Sequence, residues 1–371
     1  MTSCFELTRR VVALALLTAL PALSATAQTT PAFPQAPAAP AQAAAPVLNT
    51  CTAAPVVAGA TPAAAPVTLL PGTLAAAKSW GYQLVNLDPK ALAASPYDVL
   101  VIDYSRDGSD ANALTAAELA AIKLKPDGSK RIVLSYLSIG EAESYRYYWS
   151  RVWGWFPTFM APILPNWALP SWRSKLNRDW GGNYAVRYWE PTWQNIIVGP
   201  GGYLDRILKA GFDGVWLDKV DSALEDVAAN NPRAKADMFG FVKKIAERGR
   251  AARPGFIVLP QNADELLDDA DYRALIDGIG KESLLFGEDA EKKPNAAAAV
   301  AARTARLKKL TAEGKTVLAV EYLDDPTDIA KARADLTTNC FVPHFAERSL
   351  EALRIGDMPD PSKPKSAKGR R

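Results

Sequence analysis

Residues 211–218 have the sequence GFDGVWLD, and this stretch decides the fold class. Residues 215–217 form an apolar run of the length of a buried strand, with a glycine on its amino-terminal side. A helical pattern over residues 193–208 precedes it. Asp218 stands where the strand should end, and Asp221 follows three residues later. Because parallel α/β proteins carry their chemistry at the C-terminal ends of strands, Asp218 is the first candidate for a catalytic residue.

The amino terminus has the pattern of an export signal. Arg9 and Arg10 precede an apolar run at residues 11–20, and residues 25–27 form a small-x-small cleavage site. We therefore predict a signal peptide over residues 1–27 and export to the periplasm or the outside of the cell. A retained membrane anchor is the alternative, although the run is short for a bilayer span.

The rest of the 371-residue chain divides into one domain with two tails. Residues 28–71 are rich in alanine and proline and predict a linker, residues 72–357 predict the folded domain, and residues 358–371 predict a basic disordered tail. In an oxidising compartment Cys51 and Cys340 could form a disulfide that ties the linker to the domain, or both could remain free thiols.

From residue 74 onward, short apolar runs alternate with amphipathic patterns, which is typical of an α/β fold with parallel strands. The predicted strands cover residues 80–84, 99–103, 131–136, 184–188, 215–218, 256–261, 276–282 and 316–321. The predicted helices cover residues 115–124, 193–208, 232–250, 264–275, 295–313 and 327–337. The first of these helices begins with a capping box formed by Thr115 and Glu118.

Eight strands with intervening helices predict a single-domain (β/α)8 TIM barrel. An open doubly wound sheet is the alternative, but that fold normally carries a glycine-rich phosphate loop after its first strand. Residues 85–89, which follow the first predicted strand, contain no glycine. Residues 339–342 are predicted to form either a ninth strand or a closing segment.

Polar side chains stand at the ends of the predicted strands, and five of them are carboxylates. They are Gln83, Asp103, Glu141, Arg187, Asp218, Gln261, Glu282 and Glu321. Carboxylates in a shared cavity push their pKa values apart, so that one can be an acid while another stays ionised. Such a pair flanking a scissile bond is the chemistry of glycoside hydrolysis. A single strand-end acid is more often a cap or an ion-pair partner, whereas five together favour a functional site.

A long aromatic connection adds a second indication of sugar binding. Residues 142–183 hold eleven aromatic side chains and no clear amphipathic helix. A loop of this length in a compact domain is usually functional, and aromatic faces stack on the apolar faces of sugar rings. We predict a sugar-binding wall here, with more than half of the aromatic side chains packing the loop onto the barrel.

Competing chemistries have less support. A single histidine, His344, argues against a histidine-rich metal site and against a Ser-His-Asp triad. Asp218, Asp221 and Glu282 could instead hold a divalent cation in a metal-dependent lyase or phosphodiesterase. We expect no bound metal, no cofactor, no nucleic-acid partner, no membrane insertion after signal cleavage, and a monomer.

Four segments, at residues 101–105, 137–146, 211–218 and 260–263, resemble glycoside hydrolase family 114 in sequence and in order. The resemblance implies a (β/α)8 barrel and endo-type cleavage of α-1,4-linked galactosamine or N-acetylgalactosamine polymers. It also implies a catalytic pair made of an aspartate that ends the fifth strand and a glutamate that ends a later strand.

Asp218 and Glu282 occupy the matching positions, and the resemblance implies that Asp103, Glu141 and Glu321 line sugar subsites. We predict that Asp218 is the nucleophile or ion-pair stabiliser and that Glu282 is the general acid and then the base. The predicted substrate-binding residues are Asp103, Tyr136, Glu141, Arg187, Trp189, Asp221, Gln261, Asn262, Glu321 and Tyr322. A carbohydrate-binding barrel without catalysis is the alternative.

Overall fold

The computed structural model describes residues 73–160 and 163–355. The predicted signal peptide, the linker and the basic tail lie outside these residues. Within them, no helix is both long and apolar enough to cross a membrane.

Eleven strands and eight α-helices form the described part of the chain. The strands are β1 (Trp80–Gln83), β2 (Val99–Ile102), β3 (Ile132–Ser138), β4 (Glu141–Glu143), β5 (Arg173–Leu176), β6 (Asn183–Val186), β7 (Gly214–Asp218), β8 (Ile257–Pro260), β9 (Gly278–Glu282), β10 (Thr316–Glu321) and β11 (Val342–Phe345). The helices are α1 (Pro89–Ala94), α2 (Ala116–Ile122), α3 (Pro191–Val198), α4 (Tyr203–Ala210), α5 (Ala234–Ala252), α6 (Ala270–Leu275), α7 (Ala297–Ala312) and α8 (Pro326–Thr338).

Eight parallel strands follow one another around a barrel. One sheet has the order β1-β2-β3-β7-β8, and a second has the order β9-β10-β11. The two sheets meet where Gln261, just after β8, forms a parallel bridge with Gly280, and the N–H of Asn262 donates to the Gly280 carbonyl at 2.8 Å. On the opposite side, Trp80 Nε1 of β1 donates to the Val342 carbonyl of β11 at 2.9 Å. The prediction of a (β/α)8 barrel is confirmed.

The strand predicted at residues 184–188 is wrong as a barrel strand. The corresponding strand, β6, pairs antiparallel with β4 and β5 in a separate three-stranded sheet between β3 and α3. Val186 is buried whereas Asn183 and Ala185 are half-buried, which is typical of a sheet with one covered face and not of a barrel strand. Asp218 therefore ends the fourth barrel strand instead of the fifth, and β11 is the eighth.

Side chains alternate between the barrel interior and the helical layer. The interior cluster includes Tyr82, Tyr136, Trp216 and Leu318. Their neighbours along the strands, such as Leu217, pack in the larger cluster against the helices. Because the alternation has a period of two residues, the last inward position of each strand faces the carboxyl-terminal mouth.

Local sequence signals set the helix boundaries. Thr115 and Glu118 form both hydrogen bonds of the predicted capping box at the start of α2. The helical pattern at residues 193–208 is divided into α3 and α4, because residues 199–202 are Gly-Pro-Gly-Gly and interrupt the helix. The predicted helix at residues 264–275 is likewise a short 3-10 turn followed by α6.

Cys340, at the turn between α8 and β11, is disulfide-bonded. The alternative of a free thiol at this position is therefore wrong. The other two cysteines of the chain, Cys4 and Cys51, lie outside the described residues.

Gly280 of β9 lies directly against the indole of Trp216, where a Cβ would come within 2.1 Å of the ring. Since Trp216 is fully buried, we expect Gly280→Ala to lower the free energy of unfolding by about 1–3 kcal/mol. Gly240→Ala is the matched control in α5, where a Cβ meets nothing within 4 Å and should stabilise by about 0.5–1 kcal/mol. Urea unfolding measures both, and equal stabilities would contradict the packing described.

Candidate active site

The carboxyl ends of the barrel strands surround a cavity of about 1740 Å³, the central cavity. Nine of the twelve predicted site residues line it: Asp103, Tyr136, Glu141, Asp218, Asp221, Gln261, Asn262, Glu282 and Tyr322. Arg187 and Trp189 do not; they line a separate cavity of about 470 Å³, the outer cavity, between β5, β6 and the loop after β7. Glu321 lines neither.

Asp218 is held by the strand beside it. β3 pairs with β7 so that Ser138 lies opposite Asp218, and Tyr136, two residues earlier on the same inward face, donates its hydroxyl to Asp218 Oδ2 at 2.6 Å. The N–H of Lys219 donates to Oδ1 at 2.7 Å. Burial and the negative charge of Glu282 raise the pKa of Asp218 to about 8. The two carboxyl groups thus retain one proton between them at neutral pH.

Glu282 ends β9 and is fixed by three side-chain donors. Gln261 Nε2 and Asn262 Nδ2 both donate to Oε2, the second at 3.2 Å, and the Tyr322 hydroxyl donates to Oε1. The N–H of Glu282 donates in turn to Asn262 Oδ1 at 3.2 Å. Because both carboxylate oxygens accept hydrogen bonds, the group has one orientation in the cavity.

Gln261 connects Glu282 to the barrel interior. Its Oε1 accepts from the Tyr82 hydroxyl at 3.2 Å and from Trp216 Nε1. An indole N–H can only donate, so the amide oxygen must face Trp216 and the amide nitrogen must face Glu282. Both ends of Gln261 are thereby occupied by protein groups. It positions Glu282, and its predicted contact with substrate stays untested.

Asp103 lies in a buried ion cluster. Arg146 donates through Nη1 to Asp103 Oδ1 at 2.8 Å and through Nε to Glu143 Oε2 at 2.6 Å, and its side chain is 0% exposed. Burial raises the pKa of Asp103, opposed by the charge of Arg146. The guanidinium carbon also lies 5.9 Å from the centre of the Tyr136 ring. The cluster therefore supports the residue that holds Asp218.

A lysine directly after Asp218 joins three further carboxylates. Lys219 Nζ lies 2.5 Å from Glu225 Oε1, 3.7 Å from Glu141 Oε1 and 3.8 Å from Asp221 Oδ1. Glu141 also accepts from Asn177 Nδ2 at 2.9 Å. Burial raises the pKa values of Glu141 and Asp221, the second to about 6. One lysine among three carboxyl groups leaves this group of side chains negative at neutral pH.

Glu321 has a structural position instead of the predicted place in the cavity. Its side chain is fully buried and accepts from the N–H groups of Leu285 at 2.9 Å and Phe286 at 3.2 Å. Burial raises its pKa to about 7. Glu321 thus holds the segment after β9, and the next residue, Tyr322, takes the inward position beside Glu282.

The aromatic connection contributes less to the cavity than its composition predicted. Only two of its eleven aromatic side chains, Tyr145 and Trp180, line the central cavity. Five pack against the core: Tyr147, Tyr148, Trp149, Trp153 and Trp172. Trp155, Phe159 and Trp167 are 73–80% exposed and line neither cavity.

Sequence reasoning missed several residues that shape the site. Tyr82 and Trp216 orient Gln261. Arg146 holds Asp103 and is itself paired with Glu143, and Lys219 joins Glu141, Asp221 and Glu225. The inward alternation of β1 and β7 is a signal that could have identified the first two. The ion cluster has no such signal, since its partners are far apart in the chain.

The central cavity is acidic overall. Among the described residues, thirteen acidic and six basic side chains line it. Within those residues no three His, Cys, Asp or Glu side chains are arranged to hold a metal ion. A cavity of this charge favours a cationic ligand.

The sequence matches one family model. A model described as glycoside-hydrolase family GH114 matches residues 59–355. An uncharacterized protein of Deinococcus radiodurans is 34% identical over 283 residues, or 76% of this chain and 83% of that protein. The uncharacterized protein MJ1477 of Methanocaldococcus jannaschii is 37% identical over 254 residues, or 67% of each chain.

Two solved structures share the fold. The glycoside hydrolase domain of PelA from Pseudomonas aeruginosa superposes with a TM-score of 0.56 at 17% identity, covering 74% of this chain and 97% of that one. Aspergillus fumigatus Ega3, solved in complex with galactosamine, superposes with a TM-score of 0.52 at 16% identity, covering 75% and 95%. At these identities the likeness shows the barrel fold.

The raised pKa of Asp218 predicts a pH-dependent stability. The folded state binds this proton up to about pH 8 and the unfolded state only up to about pH 4, so rising pH destabilises the protein across that window. We expect Asp218→Asn to be stabilised relative to wild type by up to roughly 1.4 kcal/mol per pH unit across that window. Urea unfolding at several pH values measures this. A stability difference between Asp218→Asn and wild type that stays constant across this pH range would contradict the prediction.

Proposed function

The chain belongs to glycoside hydrolase family GH114, and from this premise we propose that it cleaves an α-linked amino-sugar polymer of the galactosamine type. Asp218 and Glu282 are the catalytic pair in this proposal. The observation that carries it is their convergence, from the ends of β7 and β9, in one cavity where each carboxyl group is oriented by protein donors.

The pair meets the main requirement of carboxylate catalysis, which is one protonated and one ionised group. Burial and mutual repulsion keep one proton on the pair at neutral pH. During bond cleavage the sugar ring becomes oxocarbenium-like, and its positive charge favours the ionised form of the carboxylate beside it. We assign that position to Asp218, and to Glu282 the role of the general acid, which gives the proton held by the pair to the leaving oxygen.

Positioning residues complete the mechanism. Tyr136 holds Asp218 Oδ2, and Gln261, Asn262 and Tyr322 hold Glu282. Since these donors belong to rigid strands or to the residues directly after them, the pair needs little reorganisation as charge develops. After the leaving group departs, Glu282 acts as the base toward water in this assignment.

Three features support an amino sugar as substrate. The excess of carboxylates in the central cavity would attract the ammonium groups of a deacetylated amino-sugar chain. Tyr145 and Trp180 offer aromatic faces for the sugar rings at the cavity wall. Ega3, whose structure contains galactosamine, shares the fold. Export through the predicted signal peptide would bring the enzyme to such polymers.

Hydrolysis of a galactosamine polymer, followed by product analysis, tests the function. We expect wild type to release oligosaccharides and Asp218→Asn to be slower by at least about a thousandfold, since the carboxylate beside the reacting carbon is lost. A wild-type protein that binds the polymer without cleaving it would instead support the non-catalytic sugar-binding barrel.

An activated aryl glycoside separates the roles within the pair. A good leaving group needs no protonation, so Glu282→Gln should retain far more activity on the aryl glycoside than on the polymer, whereas Asp218→Asn should lose both. Glu247→Gln is the matched control, because that carboxylate is exposed on α5 and lines neither cavity. The opposite pattern for the two catalytic variants would reverse the assignment.

The shared proton predicts the alkaline limb of the pH profile. Because the active form carries one proton on the pair, kcat/KM for the polymer should fall tenfold per pH unit above a pH of about 8. The aryl glycoside, which needs no acid, should keep its rate over the same range. Identical alkaline limbs for both substrates would contradict a proton held for the leaving group.

A further inference from the structure

The outer cavity is a second recess beside the central one. β5 and β6 form one side of it, and the other side is the segment at residues 225–231, which contains the 3-10 turn Asp226–Ala228. Its volume of about 470 Å³ lies within the roughly 300–1,000 Å³ of small-molecule sites. The catalytic mechanism uses none of its lining residues.

The two cavities are adjacent along β6. Asn183 and Ala185 point to the same face of β6, and the first lines the central cavity while the second lines the outer cavity. Glu141, the cross-strand partner of Ala185, lines the central cavity. The ion pair of Lys219 and Glu225 spans the boundary, with Lys219 in the central cavity and Glu225 in the outer one. A chain leaving the central cavity along β6 would therefore reach the outer cavity.

The outer cavity has side chains of types suited to binding sugars. Trp189 is half-buried and supplies an aromatic face. Arg187, whose Nη1 donates to the Ser171 carbonyl, and the exposed amide of Asn230 are planar groups suited to vicinal hydroxyls. Asp226, also exposed, is a carboxylate that an ammonium group could approach.

We propose that the outer cavity is a distal binding site for the same amino-sugar polymer that is cleaved in the central cavity. This inference rests on the proposed function. A long chain would occupy both cavities at once, and a short oligomer would reach only the central one. Effective concentration then favours internal cleavage of long chains, since binding at one cavity makes binding at the other intramolecular.

Hydrolysis of two α-1,4-linked galactosamine oligomers tests the proposal, one confined to the central cavity and one long enough to span both. Trp189→Ala should raise KM for the long oligomer roughly tenfold, with kcat and both constants for the short oligomer unchanged. Asn230→Ala, a change of an exposed side chain, should act in the same direction and guards against a folding defect in the first variant. Trp155→Ala, at an exposed tryptophan outside both cavities, should change neither oligomer.

An unchanged KM for the long oligomer in both variants, or an equal rise for both oligomers, would overturn the proposal. If wild type cleaves neither oligomer, the proposed function fails, and binding still tests the outer cavity. Calorimetric titration of the long oligomer into Asp218→Asn, with and without Trp189→Ala, then decides it: roughly tenfold weaker binding supports the distal site, and equal affinity overturns it.

Discussion

Two carboxyl groups, Asp218 and Glu282, lie in the central cavity, and the electrostatic cost of ionising both is the constraint on which the site depends. Ionising both would place two negative charges in a poorly solvated space, so burial and repulsion raise the pKa of Asp218 and the pair keeps one proton. The surrounding donors, Tyr136 on one side and Gln261, Asn262 and Tyr322 on the other, fix the two groups without supplying a neutralising cation. The charges of the site thus lower the stability of the folded state. Packing in the barrel interior beneath the site must offset that cost.

The alternation of side chains along the strands explains which predicted residues meet. Asp218 follows the interior residue Trp216 by two positions, and Gln261 follows the interior residue Leu259 in the same way. Glu321 is one position out of phase with the interior residue Val320, so it faces the helical layer and binds backbone N–H groups. A rule that places chemistry at strand ends therefore predicts the mouth of the barrel. Identifying the residues that face the mouth also requires the strand register. An error of one residue in the register moves every side chain of the strand to the opposite face.

The remaining differences come from contacts between residues far apart in the chain. Residues 184–188 have the local pattern of a strand, but nothing local shows that their partners are β4 and β5 instead of barrel strands. Arg146 binds Asp103, which lies 43 residues earlier in the chain. Because Asp103 is paired with Arg146, it is not a free carboxylate in the cavity. The sequence predicts Gln261 at the site. Its positioning role could not be predicted, because it depends on the indole N–H of Trp216, which fixes the orientation of the Gln261 amide.

The connection between β3 and β7 adds a surface beside the mouth of the barrel that the eight barrel strands do not provide. The barrel provides the carboxylate pair, and the antiparallel sheet β4-β6-β5 extends its mouth sideways along one face. The segment from Asp218 continues through Lys219 to Glu225, so Asp218 in the central cavity and the border of the outer cavity belong to one short segment. A ligand on that face would therefore contact the same short segment that begins at Asp218. Because Asp218 and Glu282 stand at the ends of β7 and β9, the barrel strands set where the two carboxyl groups lie, while the connection between β3 and β7 shapes the face beside them.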